Sequence, residues 1–98
     1  MTIEIKKNTS ELTLEINGRL DTITAPALDK TINDNLEGIK SLILDFKTLE
    51  YISSAGLRIL LSAQKKMQQA GAMKVINVCE EVMEVFEMTG FADILTIE

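Results

Sequence analysis

The residues best suited to chemistry in this sequence lie in the run Ser53-Ser54-Ala55-Gly56-Leu57-Arg58, at the start of a helical apolar repeat. A serine immediately before a helix is a preferred N-cap, because its hydroxyl accepts a bond from a free backbone N–H. The same position presents unpaired N–H groups and the positive end of the helix dipole, so it also accommodates a phosphoserine, with Arg58 one turn later as a partial counter-charge. The residues allow a structural cap and a reversible surface modification alike.

Enzymatic chemistry is poorly supported. The 98 residues include no histidine, which removes Ser-His-Asp and Cys-His catalysis, histidine metal sites and a titrating histidine switch. The serines do not form G-x-S-x-G, and the sequence has no phosphate-binding or dinucleotide-binding glycine loop. Asp21 and Asp45 are candidates for one sheet edge, but loop carboxylates are more often caps or solvated charges. We therefore predict no catalytic residue, no metal and no cofactor.

The amino-acid composition limits the classes of partner that the protein can bind. Ten Lys and Arg stand against fifteen Asp and Glu, a net charge of −5 that argues against nucleic-acid binding. No uncharged run is long enough for a membrane span, and charged residues alternate with apolar ones from the N-terminus, unlike a signal peptide. We expect a cytoplasmic protein without direct membrane insertion. The one cysteine, Cys79, has no disulfide partner and is expected to be a small buried thiol at a strand end.

The periodicity predicts the elements that must position these residues. Alternating or continuous apolar runs predict strands at Ile3–Lys6, Leu12–Ile16, Ser41–Phe46, Met73–Val78 and, last and shortest, Asp93–Ile97. Helical spacing predicts helices from an N-cap at Thr24 to Gly38, from Ser54 to Ala70 before Gly71, and from Glu80 to Thr89 before Gly90.

Within this pattern, Asn17-Gly18 is a turn signal that should end the second strand, and the Ser41–Phe46 run suggests a strand covered on both faces. Parallel neighbours need helical crossovers. The sequence predicts a single α/β domain over residues 1–98 without a linker: a mixed β-sheet of four to five strands with helices packed on it.

Ligands on such sheets gather where strands end and helices begin. The segments Gly18–Thr24 and Asp45–Arg58 meet that description. A glycine in a first helical turn costs about 1 kcal/mol relative to alanine, so Gly56 suggests a close approach by another group. The residues expected to bind a partner are Asp21, Thr22, Ser53, Ser54, Gly56, Leu57 and Arg58, although Leu57 lies on the apolar side of its helix, where core packing is the usual role.

These segments resemble the signature of STAS domains. The resemblance lies in Leu44-Asp45-Phe46 followed by Leu49-Glu50-Tyr51-Ile52-Ser53-Ser54-Ala55-Gly56-Leu57, in the earlier loop Gly18-Arg19-Leu20-Asp21-Thr22-Ile23-Thr24-Ala25, and in Thr89-Gly90-Phe91. It spans nearly the whole chain, in order and at the usual intervals. Stand-alone bacterial proteins of this kind are anti-sigma factor antagonists.

The resemblance implies partner switching. In the family, the unphosphorylated antagonist binds an anti-sigma factor that is also a serine kinase, and the sigma factor is released. Phosphorylation of one serine ends the association, and a serine phosphatase restores it. That serine corresponds to Ser54, and Asp21 corresponds to the acidic residue of the neighbouring loop. Many members have aspartate where this chain has Ser53, which makes Ser53 a second candidate for phosphorylation.

Two alternatives remain open at this stage. One is a STAS subunit of a lipid-transport or transporter complex that is not phosphorylated, in which Ser54 is only a cap. The other is a small-molecule or nucleotide-binding module that uses the same helix N-terminus.

Overall fold

Five strands and four helices succeed one another along the chain in a computed structural model that describes residues 1–98. They are β1 (Thr2–Lys7), β2 (Glu11–Leu20), α1 (Ala25–Asn35), β3 (Ser41–Asp45), β4 (Leu49–Ile52), α2 (Ser54–Ala70), β5 (Ala72–Ile76), α3 (Glu80–Thr89) and α4 (Phe91–Ile94). None of the helices combines the length and apolar composition needed to cross a membrane.

The strands form one mixed sheet in the order β1-β2-β3-β5, and β4 pairs with the second half of β2. β1 is antiparallel to β2, whereas the β2–β3, β3–β5 and β2–β4 pairs are parallel. The predicted α/β class, with a mixed sheet of four to five strands, is confirmed.

The helices cover one face of this sheet. Leu12, Leu14, Leu42 and Leu44 are fully buried and belong to one core cluster with apolar residues of α1, α2 and α3, whereas their neighbours on the other face are only partly buried. The prediction that the Ser41–Phe46 strand is covered on both faces is therefore wrong, because burial alternates along β3. The central strands are half-buried on the other side of the sheet.

β2 is longer than predicted. Asn17-Gly18 does not end the strand, which continues to Leu20. Gly18 has φ +98°, a backbone conformation that side chains disfavour, and the β2–β4 register shifts between Gly18 and Arg19. The Asn17-Gly18 pair thus marks an irregularity within β2. Before it, β2 pairs with β3, and from Gly18 onward it pairs with β4.

The last predicted strand is also mostly wrong. Residues Phe91–Ile94 form the short helix α4, and only Ile97 makes an isolated parallel bridge, to Val75. Two backbone bonds of 2.9 Å hold this segment, from Val75 N–H to Thr96 C=O and from Glu98 N–H to Val75 C=O. The C-terminus therefore contributes one bridge to the β5 edge.

The predicted C-terminal ends are correct for two of the three predicted helices. α2 ends before Gly71 and α3 before Gly90, as predicted, whereas α1 ends at Asn35, ahead of Gly38. Cys79 is half-buried just before α3, with its Sγ 3.4 Å from the Leu49 carbonyl oxygen.

Candidate functional site

The two predicted segments meet at one edge of the sheet. Leu20, the last residue of β2, is paired with Ile52, the last residue of β4. The Ser53 N–H donates to the Leu20 carbonyl at 2.9 Å, and this bond links the C-terminal ends of β2 and β4. The loop 21–24 and the start of α2 therefore form one surface.

Ser53 is the N-cap of α2. Its backbone is extended, with φ −100° and ψ 176°, and its hydroxyl accepts from the Gly56 N–H at 3.4 Å. The Ser53 carbonyl accepts the first helical bond, from the Leu57 N–H at 3.0 Å. Ser53 is half-buried and its hydroxyl serves the helix.

Ser54 occupies the first helical position and is exposed. Its hydroxyl makes no hydrogen bond within the chain, and only its carbonyl is engaged, by Arg58 Nε at 3.5 Å. Arg58 is exposed one turn along the same helix. A solvent-facing hydroxyl thus stands at the positive end of a 17-residue helix, and the Arg58 guanidinium lies at the carbonyl of the same residue.

Asp21 organises the neighbouring loop. Its Oδ1 accepts from the backbone N–H groups of Thr24, at 3.1 Å, and Ile23, at 3.0 Å. Chiefly because the Thr24 backbone N–H donates to the carboxylate, the pKa of Asp21 is lowered from its ordinary value, despite an opposing effect of desolvation. Asp21 is a charged turn residue at the protein surface.

Thr24 precedes α1, as predicted, but its side chain does not cap the helix. Its hydroxyl instead accepts from the Asp21 N–H at 2.9 Å and donates to the Arg19 carbonyl at 2.8 Å. This closes the loop on itself and leaves Thr22 and Ile23 at its tip, both exposed.

Three surface residues here were missed by sequence reasoning. Arg19 and Tyr51 lie opposite each other on β2 and β4, with the guanidinium carbon 4.3 Å from the ring centroid, a cation–π contact. Ile23 is 87% exposed. An apolar residue within the polar loop 21–24 was the available signal for Ile23, whereas the Arg19–Tyr51 contact depends on a strand pairing that the sequence does not reveal.

A groove runs from this surface between α1 and the start of α2. Its lining residues are Thr22, Ala25, Pro26, Asp29, Ala55, Arg58 and Ile59. Two of the residues predicted to bind a partner, Thr22 and Arg58, therefore line the same groove. Ala55, which follows Ser54 in the sequence, lines it as well.

Gly56 and Leu57 lie beneath the surface and not on it. Leu57 is only 6% exposed and belongs to the core, so its side chain does not reach a docking partner. A Cβ on Gly56 would stand 2.8 Å from both Leu20 Cγ and Ile52 Cγ1. The close approach predicted at Gly56 is thus made by two core side chains. Gly56 and Leu57 therefore pack the start of α2 against the ends of β2 and β4.

The structure does not bring Asp21 and Asp45 together. Asp45 Oδ1 accepts from the Lys47 N–H and from Asn77 Nδ2, each at 3.0 Å, in a separate turn at the end of β3. The two carboxylates share no hydrogen-bond partner, because β2 runs five residues past its last pair with β3, Glu15 with Asp45, before it reaches Leu20.

Comparison with known proteins extends this description. A family profile of the STAS domain matches residues 2–98. The anti-sigma-B factor antagonist of Bacillus subtilis is 28% identical over 96 residues, covering 97% of this chain and 88% of the relative.

Among solved structures, an anti-sigma factor antagonist from Mycobacterium paratuberculosis superposes with a TM-score of 0.88 at 22% identity, covering 98% of this chain and 83% of that one. The antagonist SpoIIAA in its unphosphorylated form gives 0.78 at 15% identity, covering 99% and 87%. Bacillus SpoIIAA in its phosphorylated form gives 0.77 at 16% identity, covering 99% and 91%. The fold is therefore shared throughout the length of the chain.

Proposed function

This chain belongs to the STAS domain family, and we propose that it acts as an anti-sigma factor antagonist whose binding is switched by phosphorylation of Ser54. In the unphosphorylated form it binds an anti-sigma factor that is also a serine kinase, and a sigma factor is released. The kinase phosphorylates Ser54 with ATP and the complex separates, and a serine phosphatase reverses the change. This work takes place in the cytoplasm and requires no catalytic group in the chain itself.

The observation that carries the proposal is the exposed Ser54 hydroxyl, which has no hydrogen-bond partner in the chain and stands at the N-terminus of α2. A kinase can reach it without opening the fold. The helix dipole and Arg58 favour the product, because a phosphate at that position meets positive partial charge and a guanidinium. Relatives with this fold carry the name anti-sigma factor antagonist, and one was solved in a phosphorylated form.

The environment of Ser53 makes it the weaker candidate for phosphorylation. Its hydroxyl accepts the Gly56 N–H and the residue is half-buried. A kinase would have to displace this capping bond to bring the oxygen into its active site, whereas Ser54 is free.

The surface around Ser54 supplies the docking contacts. Ile23 is exposed at the tip of the loop 21–24, Thr22 and Arg58 line the groove, and Arg19 lies over the Tyr51 ring on the paired strands that lead into this surface. Arginine, tyrosine and other aromatic residues are typical interface anchors. A phosphate adds about −1.5 to −2 charges in the middle of this surface, and its desolvation opposes docking.

The decisive experiment is phosphorylation by a candidate anti-sigma serine kinase with ATP, followed by intact and peptide mass spectrometry. We expect one phosphoryl group, on Ser54. Ser54→Ala should abolish the modification, and Ser53→Ala, the matched control, should retain it. Ser54→Asp should weaken binding to the same kinase in titration calorimetry.

Two results would contradict the proposal. Modification of Ser54→Ala at the wild-type rate would move the site to Ser53 or elsewhere. Tight binding to a membrane ATPase, with no phosphorylation by any candidate kinase, would instead identify a subunit of a transporter complex.

A further inference from the structure

The outer side of β1 is an unpaired sheet edge. β1 stands at one end of the strand order and pairs only with β2. Thr2–Lys7 is exposed except at Ile3, and Ile5 is 50% exposed although it is an apolar strand residue. An edge of this kind is a template for another strand.

The hairpin geometry determines which backbone groups of β1 point outward. The turn is closed by a 2.8 Å bond from the Asn8 N–H to the Glu11 carbonyl, and hydrogen-bonded pairs recur every second residue in an antiparallel ladder. Glu4 and Lys6 therefore direct their backbone groups toward β2. The N–H and C=O groups of Ile3, Ile5 and Lys7 face solvent.

These outward groups match a second copy of the same strand. In an antiparallel pair centred on Ile5, Ile5 lies opposite Ile5 of the other copy, and Ile3 lies opposite Lys7. All of these residues carry outward-facing backbone groups, so each pair can exchange both of its hydrogen bonds. The two Ile5 side chains meet on the same face of the sheet, which covers apolar surface that each copy leaves exposed.

The charges select this register. On the opposite face, Glu4 of each copy lies across from Lys6 of the other. Within its own chain Glu4 lies across from Glu15 and Lys6 from Thr13, and neither makes an ion pair. Sliding the strands to the neighbouring allowed registers would place Glu4 opposite Glu4 or Lys6 opposite Lys6, which is unfavourable.

We propose that two copies of this chain associate through antiparallel β1–β1 pairing, which joins their sheets into one across a two-fold axis. A single strand pair buries less area than a standard protein interface, so the dimer forms and dissociates with concentration. No residue of β1 belongs to the loop 21–24, the start of α2 or the groove between α1 and α2. The dimer is therefore independent of the proposed function, and each can fail without the other.

Charge exchange tests the pairing. Glu4→Lys places two lysines opposite each other twice in a homodimer, and Lys6→Glu does the same with two glutamates. We expect each variant to associate about tenfold more weakly than the wild type in sedimentation equilibrium, because two attractive cross-strand pairs become repulsive. An equimolar mixture of the two variants, and the double variant Glu4→Lys/Lys6→Glu, restore both complementary pairs and should recover wild-type association.

The backbone test is independent of charge. Ile5→Pro removes an outward N–H without removing a bond to β2, a position at which an edge strand tolerates proline, and should abolish association. In the wild type, amide exchange at Ile3, Ile5 and Lys7 should slow as concentration rises, whereas Glu4 and Lys6 should not change. A monomer at every concentration up to millimolar, or charge variants that associate as strongly separately as mixed, would overturn the proposal.

Discussion

Ser53 and Ser54 carry the same hydroxyl, and the backbone around them decides what each does. Ser53 is extended and faces the free N–H of Gly56, whereas Ser54 is already helical and faces solvent. One residue of separation along a helix start is a rotation of about 100°, so adjacent side chains cannot share an environment. Ser53 therefore caps the helix, whereas the hydroxyl of Ser54 is left exposed for the proposed phosphorylation.

This division predicts different costs of removal. Ser53→Ala should lower the free energy of unfolding by about 1 kcal/mol, because the Gly56 N–H loses its acceptor. Ser54→Ala should stay within about 0.5 kcal/mol of the wild type, because its hydroxyl bonds nothing in the chain. Urea unfolding of both variants measures this, and equal costs at the two positions would contradict the assignment.

At the scale of elements, α2 can pack closely against the ends of β2 and β4 because Gly56 has no side chain. The Gly56 backbone lies against Leu20 and Ile52, two buried residues that are paired across those strands. The N-terminus of α2, and with it Ser54, is thus set by close packing beneath the surface.

Gly56→Ala should therefore destabilise the protein even though alanine is the better helix former. Its Cβ would stand 2.8 Å from Leu20 Cγ, and overpacking of this kind costs about 1–3 kcal/mol against a gain of about 1 kcal/mol in helix propensity, so we expect a net loss of up to about 2 kcal/mol.

The matched background is Leu20→Ala, which removes one of the two side chains that a Cβ at Gly56 would meet. There, Gly56→Ala should cost less than in the wild type, because only the contact with Ile52 Cγ1 remains, a coupling that a double-mutant cycle in urea reports. Equal costs in both backgrounds would show that the contact does not determine the position of α2.

At the scale of the whole molecule, the site lies on the rim of a continuous core and not within it. The 22 buried residues of that core form one cluster beneath the helices. A charge added at Ser54 is hydrated and lies outside the cluster, so it changes the surface and leaves the packing in place.

A charge at either end of α2 tests this view. Ser54→Asp places a carboxylate at the helix N-terminus, where it should raise the free energy of unfolding by about 0.3–1 kcal/mol. Ala70→Asp places the same group at the exposed C-terminal end of α2 and should lower it by a similar amount.

Thermal unfolding and amide chemical shifts provide the measurements. We expect Ser54→Asp to unfold in one cooperative transition, with shift changes confined to the loop 21–24 and the first turns of α2. Shift changes that spread through the sheet would mean that the negative charge acts by rearranging the fold.

The sequence by itself determined the strands and helices whose local signature is strong. Alternation in Leu12–Ile16, helical spacing from Ser54 to Ala70, and the glycines after α2 and α3 each record a preference of the chain for one conformation. The placement of the candidate serines at a helix start follows from the same local information, as does the close approach at Gly56.

Only the tertiary structure decided what depends on distant partners. β4 is a four-residue strand because the end of β2 lies beside it, and β2 passes Gly18 because β4 replaces β3 as its neighbour. Residues 93–97 have a strand-like pattern, yet only Ile97 finds an edge to bridge. Likewise, whether Leu57 is core or surface and which serine stays free depend on how α2 meets Leu20 and Ile52, since strand pairing and burial are set by residues far away in the sequence.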